Sequence, residues 1–450
     1  MSAVVERAAS GLPLLRFARA DRIFAWRGGG ALTVAQFLAD VRAAASALPA
    51  GRHAVNLCED RYAFLVAFCA IAVRGQTNLL PSSRAPKAIE EVLAGHAGSY
   101  AVAETGRASP VPCIAIPLGA VDASDAAVPR IDDEQIVAIG FTSGSTGHPK
   151  PNPKPWSSVH ASSTLNVQTL HEALGLAAET LVHVVATVPP QHMYGLELSV
   201  LLPLVGPYAV HGGRPLFPAD VAAALAEVPE PRLLVTTPIH LQALLRDPAA
   251  LPPLAAITSA TAPLSRELAA EAEQRCGAPV IELFGSTETC VIAHRRPARE
   301  TAWHLYPGVA LRPQPDGTLV DAPYFSQPVV LQDVVELMPD RTFRLRGRNA
   351  DLVEIAGKRA SLADLTRRLL ALPGVVDAVA LQLDEVDGCG IRRIAALVVA
   401  PERTESALQD DLRLAIDPVF LPRPLRRVPK LPRNETGKLS RAAVLEALKS

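Results

Sequence analysis

Ile136-Val-Ala-Ile-Gly-Phe-Thr-Ser-Gly-Ser-Thr-Gly-His-Pro-Lys150 decides the reading of this chain. Its first six residues form a short apolar run of the kind a buried strand shows. They open onto a loop with two glycines, four hydroxyl side chains and a lysine. Glycine lets backbone N–H groups approach phosphate oxygens, hydroxyls donate further hydrogen bonds, and lysine supplies a mobile charge, so the loop suits a polyphosphate. It is not a Walker A loop, because Lys150 follows His-Pro and no G-K-[S/T] ending is present. The competing reading is an ordinary surface turn.

Strand and helix periods alternate on both sides of this stretch. Val34, Phe37, Leu38, Val41, Ala45 and Leu48 recur at helical spacing behind Thr33, a residue placed to cap the helix. A strand at 54–57, an apolar helix at 60–73, a strand at 78–80, a helix at 86–94 and a strand at 100–103 follow. A polar stretch at about 105–135 reads as connection. Beyond the loop, strands are expected at 181–188, 233–236, 255–258 and 280–283, with helices at 219–227, 239–245 and 264–275. This rhythm predicts an α/β fold with mostly parallel sheets. From Val329 short strands and tight turns take over, and after Gly347-Arg348 comes a small α+β unit. The expected division is therefore 1–346 for a large N-terminal domain and 347–450 for a C-terminal one.

The 450 residues allow more than one domain. A net charge of −1 and 4% aromatic residues argue against a protein working on nucleic-acid phosphates and bases. The positive charge comes from 37 arginines and only seven lysines, so each lysine at a motif position stands out. The six cysteines are scattered without Cys-x-x-Cys, which predicts neither a disulfide framework nor a zinc site. The N-terminal stretch lacks a signal-type pattern, and the apolar run 62–73 is too short to span a bilayer. A cytoplasmic protein is expected.

Three more strings accompany the loop: Glu282-Leu-Phe-Gly-Ser-Thr-Glu288, Asp333 with Gly347-Arg348 fourteen residues on, and Pro432-Arg-Asn-Glu-Thr-Gly-Lys438-Leu-Ser-Arg441. In this order, from about residue 30 to the end, the chain resembles the adenylate-forming enzymes: acyl- and aryl-CoA synthetases, peptide-synthetase adenylation domains and luciferases. The resemblance implies that a carboxylate attacks the α-phosphate of ATP, pyrophosphate leaves, and a thiol then displaces AMP. It places Thr142, Ser143, Gly144, Ser145, Thr146, Gly147 and Lys150 on the β- and γ-phosphates. Phe284 and Gly285 would lie at adenine, with the turn Ser259-Ala260-Thr-Ala-Pro263 opposite. Thr287 would contact the α-phosphate and Glu288 would help ligate Mg²⁺. Asp333 and Arg348 would bind the ribose hydroxyls. Lys438 would stand between the acid and the α-phosphate, where charge gathers in the transition state; its bland alternative is a solvated tail lysine. His192 would close the acid pocket or be an ordinary loop histidine.

In this family the C-terminal domain is mobile, and the active site lies in the cleft between it and the large domain. The hinge and following lysine positions carry Ala350 and Glu354 here, which leaves the hinge residue open. The stretch 420–441 holds seven basic residues and one acid, a face suited to an acidic acyl carrier protein or to CoA phosphates, or merely to solvent. The strings 56–68, 78–84 and 356–362 are most similar to stand-alone AMP-ligases of aryl polyene and xanthomonadin-type pigment clusters. That resemblance implies an aryl acid such as a hydroxybenzoate, loaded onto a separate carrier protein. An aryl- or fatty-acyl-CoA synthetase and a non-catalytic nucleotide-binding relative are the alternatives.

Overall fold

The computed structural model describes residues 11–81, 84–106, 109, 111–120, 127–143, 149–314, 317–348, 352–355, 358–386, 392–416, 418–434 and 437–449. The chain forms two compact units. The first comprises Met1–Thr301, Tyr306–Gly308 and Pro323–Ser326, and the second Ala302–Leu305, Val309–Ala322 and Gln327–Ser450. The second unit thus begins ahead of residue 347, taking in short strands that the sequence reading assigns to the first.

Two sheets organise the first unit. The six-stranded one runs, edge to edge, Pro149–Pro155, Ile136–Ser143, Thr77–Leu80, His53–Asn56, Tyr100–Glu104, Cys113–Ile116. All its pairs are parallel except the hairpin made by its first two strands. The larger sheet runs Cys290–Arg295, Val280–Ser286, Ala256–Ser259, Arg232–Thr236, Val182–Ala186, Tyr208–His211, Ile23–Arg27, Gly30–Thr33. It is parallel through the middle and antiparallel at both of these ends. The fold class read from the sequence is α/β with parallel sheets, and the fold has it, with the antiparallel hairpins making the sheets mixed.

The apolar run at 62–73 is the helix Arg61–Val73, capped by the Asp60 carboxylate, which accepts the Ala63 N–H at 2.8 Å. It is apolar on every side because it packs on strands of both sheets: His53–Asn56, Thr77–Leu80 and Tyr100–Glu104 of one, Tyr208–His211 of the other. Among the described residues no helix is long and apolar enough to cross a membrane. Arg61 at its start is fully buried and donates to the carbonyls of Ala186 (2.9 Å) and Val188 (2.8 Å), which fixes the end of the strand Val182–Ala186. The helix Val34–Ala47 begins at Thr33 in a reciprocal capping box with Gln36.

Several places depart from the sequence reading, among them the unassigned strands Ile23–Arg27, Tyr208–His211 and Cys290–Arg295. The stretch 105–135 carries the strands Cys113–Ile116 and Arg130–Ile131. Pro149–Pro155 is a strand although every second residue is proline; it lies at a sheet edge, where a missing N–H breaks no ladder bond. Trp156–Leu174 is a 19-residue helix rich in Ser and Thr, and Ser158, Ser162, Ser163 and Asn166 are buried on it.

In the second unit, Asp333–Met338, Thr342–Arg348 and Trp303–Leu305 pair antiparallel, as do Ala310–Gln314, Gly317–Asp321 and Val329–Leu331. After the hairpin Leu352–Ile355/Lys358–Ser361, Asp377–Val386 pairs antiparallel with Arg392–Val399, which runs parallel to Leu425–Arg427. One face of that sheet packs with helices Leu362–Leu370 and Glu405–Ala415 around Leu365, Leu369, Ile394 and Leu408. Its other face packs with helix Arg441–Lys449 around Leu397, Val444 and Leu448.

Candidate active site

Residues 144–148 lie outside the described residues, and with them Gly144, Ser145, Thr146 and Gly147. The stems of their loop are a hairpin in which Ser143 pairs with Pro149 and Thr142 with Lys150. Along the returning strand the prolines alternate with Lys150, which is exposed, and with Asn152 and Lys154, 8% and 4% exposed. The Asn152 amide donates to Thr142 Oγ1 at 3.3 Å and to the Lys150 carbonyl at 3.1 Å, holding the stem in shape.

The string 282–288 is the strand Val280–Ser286 and the turn that follows. Ser286 Oγ accepts the N–H groups of Glu288 (3.1 Å) and Thr289 (3.2 Å), and the Thr289 hydroxyl accepts the Ser286 N–H at 3.1 Å. Cys290 leaves the turn at φ +60°. A Cβ on Gly285 would lie 2.1 Å from the Cys290 carbonyl oxygen, so the turn closes only over glycine. Thr287 and Glu288 are thereby held half-exposed beyond the strand. The Thr142 hydroxyl donates to Glu288 Oε1 at 3.5 Å across 146 residues of chain. Thr287 Cγ2 lies 2.9 Å from where a Gly140 Cβ would stand, so the two motifs touch.

Two further segments reach the same end of the larger sheet. Ser259 and Ala260 terminate the strand Ala256–Ser259, parallel to Val280–Ser286, and the next residue, Thr261, takes φ +80°, a conformation non-glycine residues hold only under local constraint. Ser259 Oγ is buried with no protein partner, a donor and acceptor left for a ligand or water. Glu282 ties this turn to the strand. Its carboxylate accepts the Leu264 N–H at 2.9 Å and pairs with Arg295 at 2.6 Å, while burial pushes its pKa upward against the pull of that arginine. Phe284 is half-buried on the same strand. His192, also half-exposed, precedes the short helix Met193–Leu196, and its carbonyl accepts the Leu196 N–H at 2.7 Å. The next two residues fix that helix: Tyr194 donates to Thr258 Oγ1 at 3.0 Å, and a Cβ on Gly195 would fall 2.0 Å from the Pro189 carbonyl oxygen. Met193 Cε comes 3.6 Å from the same Gly140 position that Thr287 approaches.

Behind the turn lies a buried polar network that the motif strings do not contain. Lys154 Nζ donates to the Glu288 carbonyl at 2.9 Å. Glu197, 1% exposed, sits in a π-helical turn, Glu197–Leu201, and accepts the Val291 N–H at 3.1 and 3.2 Å and the Asn166 amide at 3.1 Å. Asn166 in turn accepts from the Tyr306 hydroxyl at 2.9 Å. Burial pushes the Glu197 carboxyl up to about 7, against the opposing pull of the Val291 N–H, the Asn166 amide and the Lys154 charge. The one sequence signal for Lys154 is the scarcity of lysine; Glu197 gives none.

The second unit carries the remaining positions. Asp333 and Arg348, fifteen residues apart in sequence, stand opposite each other in the antiparallel hairpin. The Asp333 carbonyl accepts from the Thr318 hydroxyl at 2.6 Å. Lys438 is exposed on a tight turn in which Gly437 has φ +79°, the Asn434 carboxamide oxygen accepts the Lys438 N–H at 2.9 Å, and the Lys438 carbonyl accepts the Asn434 N–H at 2.9 Å. Arg433 clamps this turn with two bonds to Asp377, at 2.7 and 2.9 Å, and one to the Gly437 carbonyl at 2.8 Å. Arg441 holds its far side through the Gln382 carbonyl (2.6 Å) and Asp384 (2.7 Å). Of the seven basic residues at 420–441, Arg433 and Arg441 therefore serve the unit itself, as does Arg427, whose guanidinium donates to the Arg403 carbonyl, while Arg423, Arg426 and Lys430 are exposed. Ala350 lies outside the described residues.

No cluster of three His, Cys, Asp or Glu among the described residues could hold a metal alone. A single carboxylate, Glu288, beside the Thr142 hydroxyl is a hard oxygen pair, and it fits Mg²⁺ that takes its other ligands from nucleotide phosphates and water.

The family model for AMP-binding enzymes matches residues 16–323. A 4-coumarate–CoA ligase of Rhodobacter capsulatus is 33% identical over 282 residues, 62% of this chain and 67% of that relative. A sulfoacetate–CoA ligase of Cupriavidus necator is 28% identical over 349 residues, 68% of this chain and 66% of the relative. The fold matches ATP-bound MatB of Rhodopseudomonas palustris with a TM-score of 0.76 at 19% identity, over 96% of this chain and 97% of that one. It also matches an o-succinylbenzoate coenzyme A synthetase of Bacillus subtilis in complex with ATP and magnesium ion, with a TM-score of 0.78 at 18% identity, over 94% and 96% of the two chains. With the stems of the 144–148 loop on one sheet meeting Thr287 and Glu288 beyond a strand of the other, the chain belongs to the AMP-binding enzymes, AMP-forming acid–thiol ligases that work with ATP and Mg²⁺.

Proposed function

We propose that this chain activates an aryl carboxylic acid, such as a hydroxybenzoate, and passes it to the phosphopantetheine thiol of a separate acyl carrier protein, as the AMP-ligases of aryl pigment clusters are thought to do. The observation that carries the reading is the meeting of Thr142, Thr287 and Glu288 beside the His192 segment. The aryl assignment draws support from relatives named 4-coumarate–CoA ligase.

In the first step a carboxylate oxygen forms a bond to the α-phosphorus of ATP while the bond to the β-phosphate oxygen breaks and pyrophosphate leaves. Thr142, Ser143, the glycines and hydroxyls of 144–147, and Lys150 hold the departing phosphates. Thr287 holds the α-phosphate oxygen, Glu288 the metal. Phe284, Gly285, Ser259 and Ala260 hold adenine, and Asp333 and Arg348 the ribose. Lys438, delivered by a mobile C-terminal domain at 347–450, offsets the charge that gathers between carboxylate and phosphate. In the second step the thiol sulfur attacks the acyl carbon and AMP leaves. The exposed Arg423, Arg426 and Lys430 suit an acidic carrier.

CoA as acceptor is the second reading, favoured by the relatives' own names. ATP–pyrophosphate exchange against 3- and 4-hydroxybenzoate, 4-hydroxycinnamate, benzoate and fatty acids tests the acid. Exchange confined to aryl acids supports the proposal, and exchange confined to fatty acids overturns it. Thioester formation with carrier protein and CoA in competition then separates the acceptors.

A further inference from the structure

Lys154 is a lysine in a chain that has only seven, and it is 4% exposed on a strand whose neighbouring residues are prolines. Burying an ammonium is costly unless it is bonded, so its bond identifies its use. That bond goes to the carbonyl of Glu288 at 2.9 Å. One turn further on, Glu197 grips the Val291 N–H with both oxygens at 3.1 and 3.2 Å. The turn that presents Thr287 and Glu288 is thus held from behind at two points, Glu288 and Val291, by buried polar side chains. Asn152, on the same face of the strand as Lys154, bonds the Thr142 hydroxyl that reaches Glu288 Oε1. One strand face therefore sets both the backbone and the carboxylate of Glu288.

We propose that Lys154 is a positioning residue for Glu288: with Glu197 as its counter-anchor, it fixes the 286–291 turn so that the Glu288 carboxylate faces the nucleotide's metal. This inference rests on the assignment of Glu288 to Mg²⁺. Residues that orient a metal ligand from behind typically cost 10–100-fold in metal affinity when lost.

The test is calorimetric titration of ATP, with and without Mg²⁺, into the wild type and Lys154→Met, with thermal unfolding alongside. Mg²⁺ should tighten ATP binding in the wild type, and Lys154→Met should lose about tenfold of that enhancement, with metal-free ATP binding kept within about twofold. A Glu288→Gln background should make the methionine substitution silent, because Lys154 acts through Glu288. Lys154→Gln, shorter but still a donor, should fall between wild type and methionine, and it serves if the methionine variant does not fold. Unchanged Mg²⁺ enhancement in a folded variant, or effects of Lys154 and Glu288 that simply add, would overturn the proposal. Absence of acid-dependent exchange by the wild type would instead count against the acid-activation reading, since the present comparison is read from nucleotide binding.

Discussion

Replacing Glu197 by glutamine should make the protein's stability less dependent on pH, in a direction fixed by the structure. Burial lifts the native Glu197 carboxyl to about 7 from the ordinary glutamate value of 4.5. Between those values the native state holds about one proton more than the unfolded state, so stability falls as pH rises. The contribution is fully present below pH ~4.5 and lost once pH passes ~7, and at ~1.4 kcal/mol per pH unit it amounts to about 3 kcal/mol. At 1% exposure the carboxyl is scarcely screened by solvent. Glutamine keeps the shape and stays neutral. Its amide nitrogen can face Asn166 if that carboxamide turns over, the Tyr306 hydroxyl then accepting instead of donating. Scanning calorimetry of wild type and Glu197→Gln from pH 4.5 to 8.5 is the assay. The two should melt close together at the acid end, with the variant gaining steadily toward pH 7 and holding its advantage above it. A gap that does not change with pH, or one that favours the wild type at pH 8, would refute the account of Glu197 as a buried carboxyl lacking a full counter-charge.

Three other perturbations probe the site. Lys438→Ala should slow acid-dependent ATP–pyrophosphate exchange by ~10²–10³-fold with ATP affinity little changed, and undiminished exchange would remove Lys438 from the chemistry. Gly140→Ala places a methyl 2.9 Å from Thr287 Cγ2; it should cost roughly 1–3 kcal/mol of stability and about 100-fold in exchange, measured by urea unfolding and the exchange assay, and wild-type exchange would show that Thr287 does not contribute. Arg433→Met removes two bonds to Asp377 and one to the Gly437 carbonyl. The partly exposed pair is worth only about 1 kcal/mol, yet exchange should drop about tenfold or more as the Lys438 turn loosens; parallel small losses in both would mean the clamp is structural only.

What the sequence carried of the fold was whatever is decided locally. The helix Val34–Ala47 announces itself through Thr33, Gln36 and its apolar spacing, and Arg61–Val73 through an unbroken apolar run. Pro149–Pro155 was illegible because proline normally argues against a strand, and only its place at a sheet edge removes the objection. Trp156–Leu174 was hidden by Ser and Thr residues that are poor in isolated helices and tolerated here inside packed surroundings. Of the candidate site, the motif strings marked positions such as Thr142, Glu288, Asp333 and Arg348, but not what stands behind them. Lys154 and Glu197 reach the 286–291 turn from strands and helices far away in sequence, a relation that exists only once the sheets are assembled. Glu282 lay inside a motif string without an assigned task, and its link between Leu264 and Arg295 is likewise a product of strand pairing.

The central claim, that ATP is split at the α-phosphate to activate an aryl acid, is tested most directly by mass spectrometry of a reaction without thiol. Purified protein, ATP, Mg²⁺ and 4-hydroxybenzoate should yield pyrophosphate together with an enzyme-bound adduct of AMP and the acid, both absent when the acid is omitted. Formation of ADP and phosphate, or AMP release that ignores the acid, would contradict it.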